Sequence, residues 1–206
     1  MSELHESLKG AVDREQKIPR ALDALGPVAD RDVVLLDSDE GFRATQLREL
    51  GGRVVPVAGA DVSGVTDASA DVAISCFGVS RGGDQAWEPL IETVRPKLRP
   101  GGRLLLVRDY GHDDVISLLA TPDQEAEIVA VSRRDGWFLR HDFKIRVLHC
   151  WWSWNDLEEA RQQLGAAFGE PGAAVAEAMR RPRLAWKVAV YHRTLGVEPA
   201  TGESAA

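Results

Sequence analysis

The fold is decided by residues 32–57, DVVLLDSDEGFRATQLRELGGRVVPV. The apolar run at 33–36 predicts a short strand buried on both faces. Apolar residues then recur every three positions as far as Leu50, which predicts one apolar face of a helix. The pair Gly51-Gly52 ends that helix before a second strand at 53–57. Strand, helix and strand within about 25 residues predict a right-handed βαβ unit.

The turn after the first strand is the expected edge of a ligand site, because open sheets of this kind bind ligands at the carboxyl ends of their strands. This turn carries Asp37, Asp39 and Glu40 but only one glycine, Gly41. In one interpretation Asp37 holds a ligand's ammonium group. In the other, which we favour for Asp39 and Glu40, the acids stabilise the helix N-terminus by about 0.3–1 kcal/mol each. The three carboxylates disfavour a dinucleotide, because they would repel its pyrophosphate.

The composition is that of an ordinary soluble domain of 206 residues, 44% hydrophobic and 28% charged. The net charge of −7 argues against binding to a nucleic-acid backbone. The chain lacks an apolar run long enough to span a membrane and an N-terminal signal pattern. Cys76 and Cys150 have no metal ligands at close spacing, which favours free thiols in a reducing cytoplasm and no metal site.

The rest of the chain alternates between strand and helix patterns. Further strands are expected at 72–79, 103–107, 143–152 and 184–191, and a loop, with room for a weak edge strand, is expected at 58–70. Helices are expected at 2–16, 19–26, 87–98, 122–134 and 155–168. Thr121 and Asn155 are the expected caps of the last two helices, because each has Gln or Glu three residues later.

Four segments resemble the class I S-adenosylmethionine-dependent methyltransferases. VRPKLRPGGRLLLVRD at 94–109 is similar to that family's fifth-strand region with its LRPGG turn. DVAISCF at 71–77 resembles the fourth strand, and 32–52 stands in the place of the first strand, glycine loop and helix. LAWKVAVYHR at 184–193 resembles part of the closing antiparallel pair. The resemblance extends over most of residues 20–193.

The family implies a doubly wound, Rossmann-like α/β fold. Its sheet would have seven strands, mostly parallel with an antiparallel last strand, and helices on both faces. We expect a single domain over residues 1–195, with N-terminal helices at 1–26 packed on the sheet. Residues 196–206 are expected to be a disordered tail.

The resemblance also implies S-adenosylmethionine as the cofactor. Asp37, Gly41 and Phe42 stand in the family's acidic, glycine-rich loop, with one glycine where the family has three. The place of the family's ribose-binding acid holds Ala58, and Asp61 is the nearest carboxylate, also suited to the adenine amino group.

A second part of the cofactor site is expected after the strand at 72–79. Cys76, Phe77 and Gly78 lie where the family places the adenine against apolar side chains. Packing in the core is the alternative interpretation of Cys76 and Phe77.

Polar residues crowd the segment 108–114, RDYGHDD, just past another strand. His112 is a candidate general base for an acceptor hydroxyl or amine, with Asp113 or Asp114 orienting it. Tyr110 is a candidate to assist deprotonation. The alternative is an exposed turn in which Asp113 or Asp114 caps a helix.

Four tryptophans form an unusual concentration at Trp137, Trp151, Trp152 and Trp154. They could wall a substrate pocket, cover a sheet edge or form a homodimer contact. Burial is favoured for Trp151 and its neighbours, and His149 on the same strand is expected to be a core residue.

These patterns favour an enzyme that transfers a methyl group from S-adenosylmethionine to a small molecule, mainly by aligning the acceptor with the sulfonium methyl group. The alternative is a protein of this fold that has lost methyl transfer. It would serve as a binding or scaffold module, or catalyse another reaction in the same cleft. Neither a nucleic acid nor a membrane is expected as a partner.

Overall fold

Six strands and eight α-helices make up the described part of the computed structural model, which covers residues 8–36, 41–77 and 86–196. The strands are β1 Asp32–Leu36, β2 Arg53–Pro56, β3 Ala70–Cys76, β4 Leu98–Asp109, β5 Lys144–Ser153 and β6 Arg183–Thr194. The helices are α1 Lys17–Leu25, α2 Phe42–Glu49, α3 Trp87–Val94, α4 Asp114–Leu119, α5 Pro122–Val131, α6 Trp137–Arg140, α7 Leu157–Phe168 and α8 Glu170–Ala178.

β1, α2 and β2 form the predicted βαβ unit. β1 and β2 pair in parallel, with Val33 opposite Val54. Residues 33–36 are buried throughout, which confirms a strand covered on both faces. Leu47 points from α2 into the core. Gly51 has a φ of 90°, a left-handed conformation that lets the chain leave the helix without strain.

The strands form one sheet in the order β2-β1-β3-β4-β6-β5. β1 to β4 run parallel, and β6 runs antiparallel to both of its neighbours. This topology confirms a mostly parallel sheet with an antiparallel last strand. The chain runs outward from β1 to β2 and then returns across to β3. The strand order therefore reverses between β1 and β3, which is where sheets of this class bind ligands.

The seventh strand that the family implies is missing beside β2. Residues 57–69 form turns in the structure, and this fully described segment contains no strand. Its sequence, VAGADVSGVTDAS, is small and polar and lacks the alternating apolar face that a strand requires. Val62 and Val65 are its buried residues, and they fix the turns against the core.

Helices cover both faces of the sheet, as a doubly wound fold requires. Leu35 lies on the face whose core includes Leu22 of α1 and Leu164 of α7. Leu106 lies on the opposite face, whose core includes Trp87 of α3. The apolar stripe predicted for 87–98 is buried at every position: Trp87, Leu90, Ile91, Val94 and Leu98.

The helix predicted at 87–98 is shorter than expected. α3 ends at Val94, residues 95–97 form a 3-10 turn, and Leu98 already belongs to β4. Pro96 explains this end, because proline has no backbone N–H to continue an α-helix.

The predicted helix at 2–16 is wrong for its described part. Residues 2–7 lie outside the described residues, and 8–16 form turns. Val12 makes an antiparallel bridge to Trp152 of the edge strand β5. Pairing with the sheet thus replaces the local helical pattern.

α1 begins at Lys17, two residues earlier than expected, and ends before Gly26 as predicted. The buried carboxylate of Asp13 accepts hydrogen bonds from the backbone N–H groups of Lys17 and Ile18, each at 2.9 Å. These bonds satisfy donors that a helix start leaves unpaired. Asp13 therefore fixes where α1 begins.

The cap predicted at Thr121 is confirmed. Gln124 N donates to Thr121 Oγ1, and Thr121 N donates to Gln124 Oε1 at 2.9 Å. The cap predicted at Asn155 is wrong by one residue, because the adjacent carboxylate of Asp156 accepts from Glu159 N at 2.8 Å. A charged oxygen is favoured over an amide at the positive end of a helix.

Candidate functional site

The carboxyl ends of β1, β3 and β4 lie side by side at one edge of the sheet. Leu36 at the end of β1 is opposite Ser75, and Cys76 at the end of β3 is opposite Val107 of β4. The loops that follow β1 and β3 contain residues 37–40 and 78–85, which lie outside the described residues. The predicted ligands Asp37 and Gly78 fall in these loops, as do Asp39 and Glu40.

Gly41 and Phe42 lie at the start of α2, beside the first of these loops. Gly41 is the residue that precedes the helix, and Phe42 is its first residue. The side chain of Phe42 is 37% exposed, although it is large and apolar. The Arg43 guanidinium lies 5.3 Å from the centre of its ring. Part of the Phe42 ring is thus exposed at the start of α2, next to the loop that follows β1.

Asp61 lies in the turns after β2, not at the strand end itself. Its side chain is exposed, and its carboxylate accepts from Ser63 N at 3.0 Å. Hydrogen bonds from the side chain and backbone of Ser63 hold the pKa of Asp61 below its usual value. β2 ends at Pro56, followed by Val57 and Ala58, so this strand end has no carboxylate of its own.

Phe77 packs into the core directly after β3. It is 5% exposed, and its ring stacks on that of Trp186 with 5.3 Å between ring centres. Its φ of 63° is unusual for a bulky residue, and it turns the chain sharply at the strand end. Cys76 is half-buried against the same core. Both residues thus pack in or against the core, as the alternative interpretation of Cys76 and Phe77 predicted.

A cavity of about 180 Å³ opens beyond the ends of β3 and β4, beside α4 and α5. Its wall combines apolar side chains with two carboxylates, an amide and a guanidinium. The lining residues are Phe77, Arg108, Asp109, Ile116, Leu119, Ala120, Gln124, Glu127 and Ile128. This mixture suits a small molecule that has an apolar body and a hydrogen-bonding group.

Asp109, the last residue of β4, lines this cavity, and a hydrogen bond from Trp186 holds its carboxylate in one orientation. The indole Nε1 of Trp186 donates to Asp109 Oδ1 at 3.0 Å. Trp186 is buried, and its stacking on Phe77 limits its movement. A carboxylate held in this way is a prepared hydrogen-bond acceptor. The sequence signal for it was the alternation of β4, because Asp109 lies on the same face as the core residue Val107.

Arg108 directs its side chain to the opposite face of the sheet. It is 6% exposed, and its guanidinium lies 4.5 Å from the ring centre of Trp87 and 5.5 Å from that of Phe138. This cation–π packing keeps a positive charge next to the cavity edge.

The predicted catalytic residues His112 and Tyr110 do not line the cavity. His112 is exposed, and its Nδ1 pairs with the carboxylate of Glu125. Tyr110 is half-buried, and its backbone N–H donates to Lys187 O at 3.0 Å. Their role in catalysis stays a prediction.

Asp113 and Asp114 are structural and do not orient His112. Asp113 caps α4 by accepting from Ile116 N at 2.9 Å, and its other oxygen accepts from Lys187 N. Burial raises the pKa of Asp113. Asp114 accepts from Ala185 N at 2.8 Å. The alternative interpretation of this segment as a turn with a capping aspartate is thus confirmed.

The tryptophans are mostly core residues. Trp137, Trp152 and Trp154 are buried, while Trp151 is half-buried with the Arg183 guanidinium 4.3 Å from its ring centre. None of the four lines the cavity at Asp109. His149, expected in the core, is exposed instead, because it occupies the outward side of the edge strand β5.

Neither Cys76 nor Cys150 forms a disulfide. Burial raises the pKa of Cys150 to about 12, so its thiol stays protonated. Within the ranges 8–36, 41–77 and 86–196, no cluster of His, Cys, Asp and Glu has the arrangement of a metal site. Over the same ranges, no helix is both long and apolar enough to span a membrane.

No protein-family model matches this sequence, and no curated protein matches it significantly. Solved structures, however, match it over most of its length. A protein provisionally classed as a type II methyltransferase from Anaeromyxobacter dehalogenans aligns with a TM-score of 0.53 and 19% identity, over 87% of this chain and 97% of its own. One provisionally classed as a methyltransferase of antibiotic biosynthesis, from Anabaena variabilis, aligns at 0.54 and 10% identity, over 85% and 96%.

The geranyl diphosphate C-methyltransferase of Streptomyces coelicolor is a third match. It was solved with Mg²⁺, geranyl diphosphate and S-adenosyl-L-homocysteine. Its TM-score is 0.50 at 12% identity, over 87% of this chain and 79% of its own. At sequence identities this low, these TM-scores show a shared fold only, and the sheet order agrees with that fold. The chain therefore has the doubly wound α/β fold of the class I S-adenosylmethionine-dependent methyltransferases.

Proposed function

We propose that this protein transfers a methyl group from S-adenosylmethionine to a small molecule. The observation that supports this most is the cavity at the end of β4, where Asp109 is held by Trp186 beside an apolar wall. It lies next to the point where the strand order reverses, and the fold is one that carries methyl transfer in other proteins.

The cofactor would lie across the ends of β1 and β3. The described residues fit its charge, because the cofactor is a sulfonium cation and the neighbouring cavity is lined by two carboxylates, Asp109 and Glu127, against the one guanidinium of Arg108. When bound, it supplies an electrophilic methyl group. On this proposal Asp37 and Gly41 hold its amino-acid end, and the exposed ring of Phe42 covers one side of the binding site.

The adenosyl end would be held by the other predicted residues. Asp61 would accept hydrogen bonds from the adenine amino group or the ribose, and it is accessible to do so. Cys76 and Gly78 would border the adenine, while Phe77 would support that wall from within the core.

The acceptor would occupy the cavity, with its apolar part against Ile116 and Leu119. Asp109 would accept a hydrogen bond from the acceptor's hydroxyl or amine and take its proton as the methyl group is transferred. Trp186 would keep the carboxylate aimed at that proton, so that the acceptor's lone pair faces the methyl group. His112 and Tyr110 lie outside the cavity, and on this proposal neither of them takes the acceptor's proton.

The size and charge of the site favour a small acceptor. About 180 Å³ accommodates a compact molecule, whereas a nucleic-acid backbone would face a chain of net charge −7. Two cysteines without a disulfide support a reducing cytoplasm as the place of action. A homodimer stays a prediction that sedimentation can test.

Thermal unfolding in the presence of S-adenosylhomocysteine tests the cofactor site. Binding should raise the unfolding midpoint as the ligand concentration increases, because the ligand stabilises only the folded chain. The variant Asp37→Ala should show a smaller rise, and Asp135→Ala, which changes an exposed acid elsewhere, should behave like the wild type. An unchanged rise in Asp37→Ala would place the site elsewhere.

Incubation with radiolabelled S-adenosylmethionine and a panel of small amines, phenols and alcohols tests the transfer itself. We expect label to pass to at least one acceptor with a short apolar body. No transfer despite clear cofactor binding would contradict the enzymatic proposal.

The second candidate is a protein of this fold without methyl transfer. It is favoured by the end of β2, where Val57 and Ala58 stand in the place of the family's ribose-binding acid. It predicts no rise in the unfolding midpoint even at millimolar S-adenosylhomocysteine.

A further inference from the structure

A second cavity, of about 450 Å³, borders a different side of α4. Asp114 and Ser117 line it, whereas Ile116, Leu119 and Ala120 line the cavity at Asp109. Positions three apart in a helix share a face, so the two cavities use different faces of α4. We call this second cavity the arginine groove, after Arg180, Arg181 and Arg183 on its wall.

The arginine groove concentrates positive charge on an otherwise acidic chain. Arg180, Arg181 and Arg183 are exposed, and across the described residues none of them forms an ion pair with a carboxylate. Asp114 is the acid in the lining, and one of its oxygens is bound to Ala185 N. Three guanidinium groups against one carboxylate make this groove attractive to an anion, although the whole chain has a net charge of −7.

The segment that carries these arginines is held in place. Arg183 N donates to Arg181 O at 2.7 Å, and Trp154 N donates to Pro182 O at 2.9 Å. The Arg183 guanidinium lies over the ring of Trp151, 4.3 Å from its centre. Ligand binding would therefore cost little conformational entropy in this segment.

The floor of the arginine groove is apolar. Leu184 is buried there, and Val175, Met179 and Trp151 are half-buried around it. The groove therefore offers an apolar surface next to a cationic rim. A hydrated inorganic ion would use only the rim, whereas an organic anion would use both.

We propose that the arginine groove binds a small organic anion, a phosphate or carboxylate group attached to an apolar, flat body. The guanidinium groups match the paired oxygens of either head group in two parallel hydrogen bonds. The body would lie on Leu184 and against the indole of Trp151. This site is separate from the proposed methyl transfer and does not depend on it.

Calorimetric titration with phenyl phosphate and with benzoate tests this site and tells the two head groups apart. Two compounds serve as controls. Phenol has the same aromatic ring but is uncharged near neutral pH, and inorganic phosphate is an anion that has no apolar group. We expect at least one of the two organic anions to bind with one ligand per chain, more tightly than phenol or inorganic phosphate. Binding should weaken as salt is added.

The double variant Arg180→Gln/Arg183→Gln should weaken that binding by about tenfold or more, because it removes two of the three guanidinium groups that would hold the anion. The control Arg133→Gln/Arg140→Gln removes the same charge from exposed positions outside the groove and should bind like the wild type. Circular dichroism verifies that both variants are folded.

Three results would overturn the proposal. They are no binding of either organic anion at millimolar concentration, equally tight binding of phenol, and an equal loss of binding in both double variants. None of them depends on S-adenosylmethionine, so failure here and failure of the methyl-transfer proposal are distinguishable.

Discussion

At the residue scale, the proposed chemistry depends on the carboxylate of Asp109. The variant Asp109→Asn keeps the side-chain shape and an oxygen for Trp186 Nε1, but it removes the charge that accepts a proton. We expect kcat on the identified acceptor to fall by about 10²–10⁴-fold. The affinity for S-adenosylhomocysteine should change little. Steady-state kinetics and calorimetry together check this.

His112→Asn is the matched comparison, because His112 is the base that the sequence predicts. Its side chain is exposed and paired with Glu125, away from the cavity. We expect this variant to keep nearly all activity. A loss as large as that of Asp109→Asn would instead support His112 as the general base and contradict the role given to Asp109.

The sequence predicted function in the segment that contains Asp109, but it assigned that function to His112 and Tyr110. The polar run after a buried strand predicted function at 108–114, and Asp109 lies in it. The choice of Asp109 depends on Trp186, which is 77 positions away along the chain. That contact follows from the antiparallel register in which Asp109 pairs with Val188. Local spacing carries no information about such a partner.

At the element scale, α7 and α8 approach so closely that a glycine is required. A Cβ placed on Gly172 of α8 would run into the backbone carbonyl of Leu164 in α7, which cannot move cheaply. We expect Gly172→Ala to destabilise the protein by about 1–3 kcal/mol through overpacking. Urea unfolding followed by circular dichroism measures this.

Gly165→Ala is the control, because a Cβ at Gly165 of α7 meets no atom within 4 Å. Alanine is favoured over glycine in a helix interior by about 0.5–1 kcal/mol, so this variant should be as stable as the wild type or more stable. Equal stability of Gly165→Ala and Gly172→Ala would show that the helix contact is looser than the structure indicates.

Continuous apolar runs made most strands predictable. β1, β3 and β4 lie inside the sheet, where both faces are covered, so each contains an unbroken run of apolar residues. The predicted helix at 2–16 failed at 8–16 because its spacing of apolar residues also suits a segment that pairs with an edge strand. Val12 bridges to Trp152, and the buried Asp13 starts α1 instead. Tertiary contacts, and not the local sequence pattern, therefore determine the structure of residues 8–16.

At the scale of the whole molecule, an ion-pair network joins four strands at the edge opposite to the proposed site. Asp32 of β1 pairs with Arg53 of β2 at 2.7 Å and with Arg99 of β4 at 2.8 Å. Arg99 also pairs with Asp71 of β3 at 2.8 Å. Hydrogen bonds from Arg53 and then Arg99 lower the pKa of Asp32 from 3.8 to about 2.

The lowered pKa of Asp32 predicts a defined pH dependence. Its contribution to stability is complete above its unfolded pKa of 3.8 and is lost as the pH falls through about 2. The wild type should therefore unfold at a higher temperature than Asp32→Asn at pH 7. This difference should shrink as the pH falls from about 4 to 2. A constant difference over this range would contradict the assignment.

The variant Glu92→Gln serves as the control for that measurement. Glu92 pairs with Arg95 at 3.0 Å, but its side chain is 68% exposed and the two residues are only three positions apart in the sequence. Exposed pairs of this kind contribute little, so its substitution should leave the unfolding midpoint nearly unchanged.

The architecture of the whole sheet was predictable, whereas the cofactor site was predictable only in part. The LRPGG motif and the apolar strands predicted at 72–79 and 103–107 indicated the fold, and the strand order agrees. The loop from Asp37 to Glu40 departs from the family pattern, and its side chains lie outside the described residues. Binding measurements therefore decide what this loop holds.

Calorimetric titration of the wild-type chain with S-adenosylmethionine, S-adenosylhomocysteine and NAD tests the central claim most directly. We expect the two adenosyl ligands to bind with one ligand per chain and NAD not to bind, because carboxylates around the site repel a pyrophosphate. No heat from either adenosyl ligand at millimolar concentration, or tighter binding of NAD, would contradict a methyltransferase site at the ends of β1 and β3.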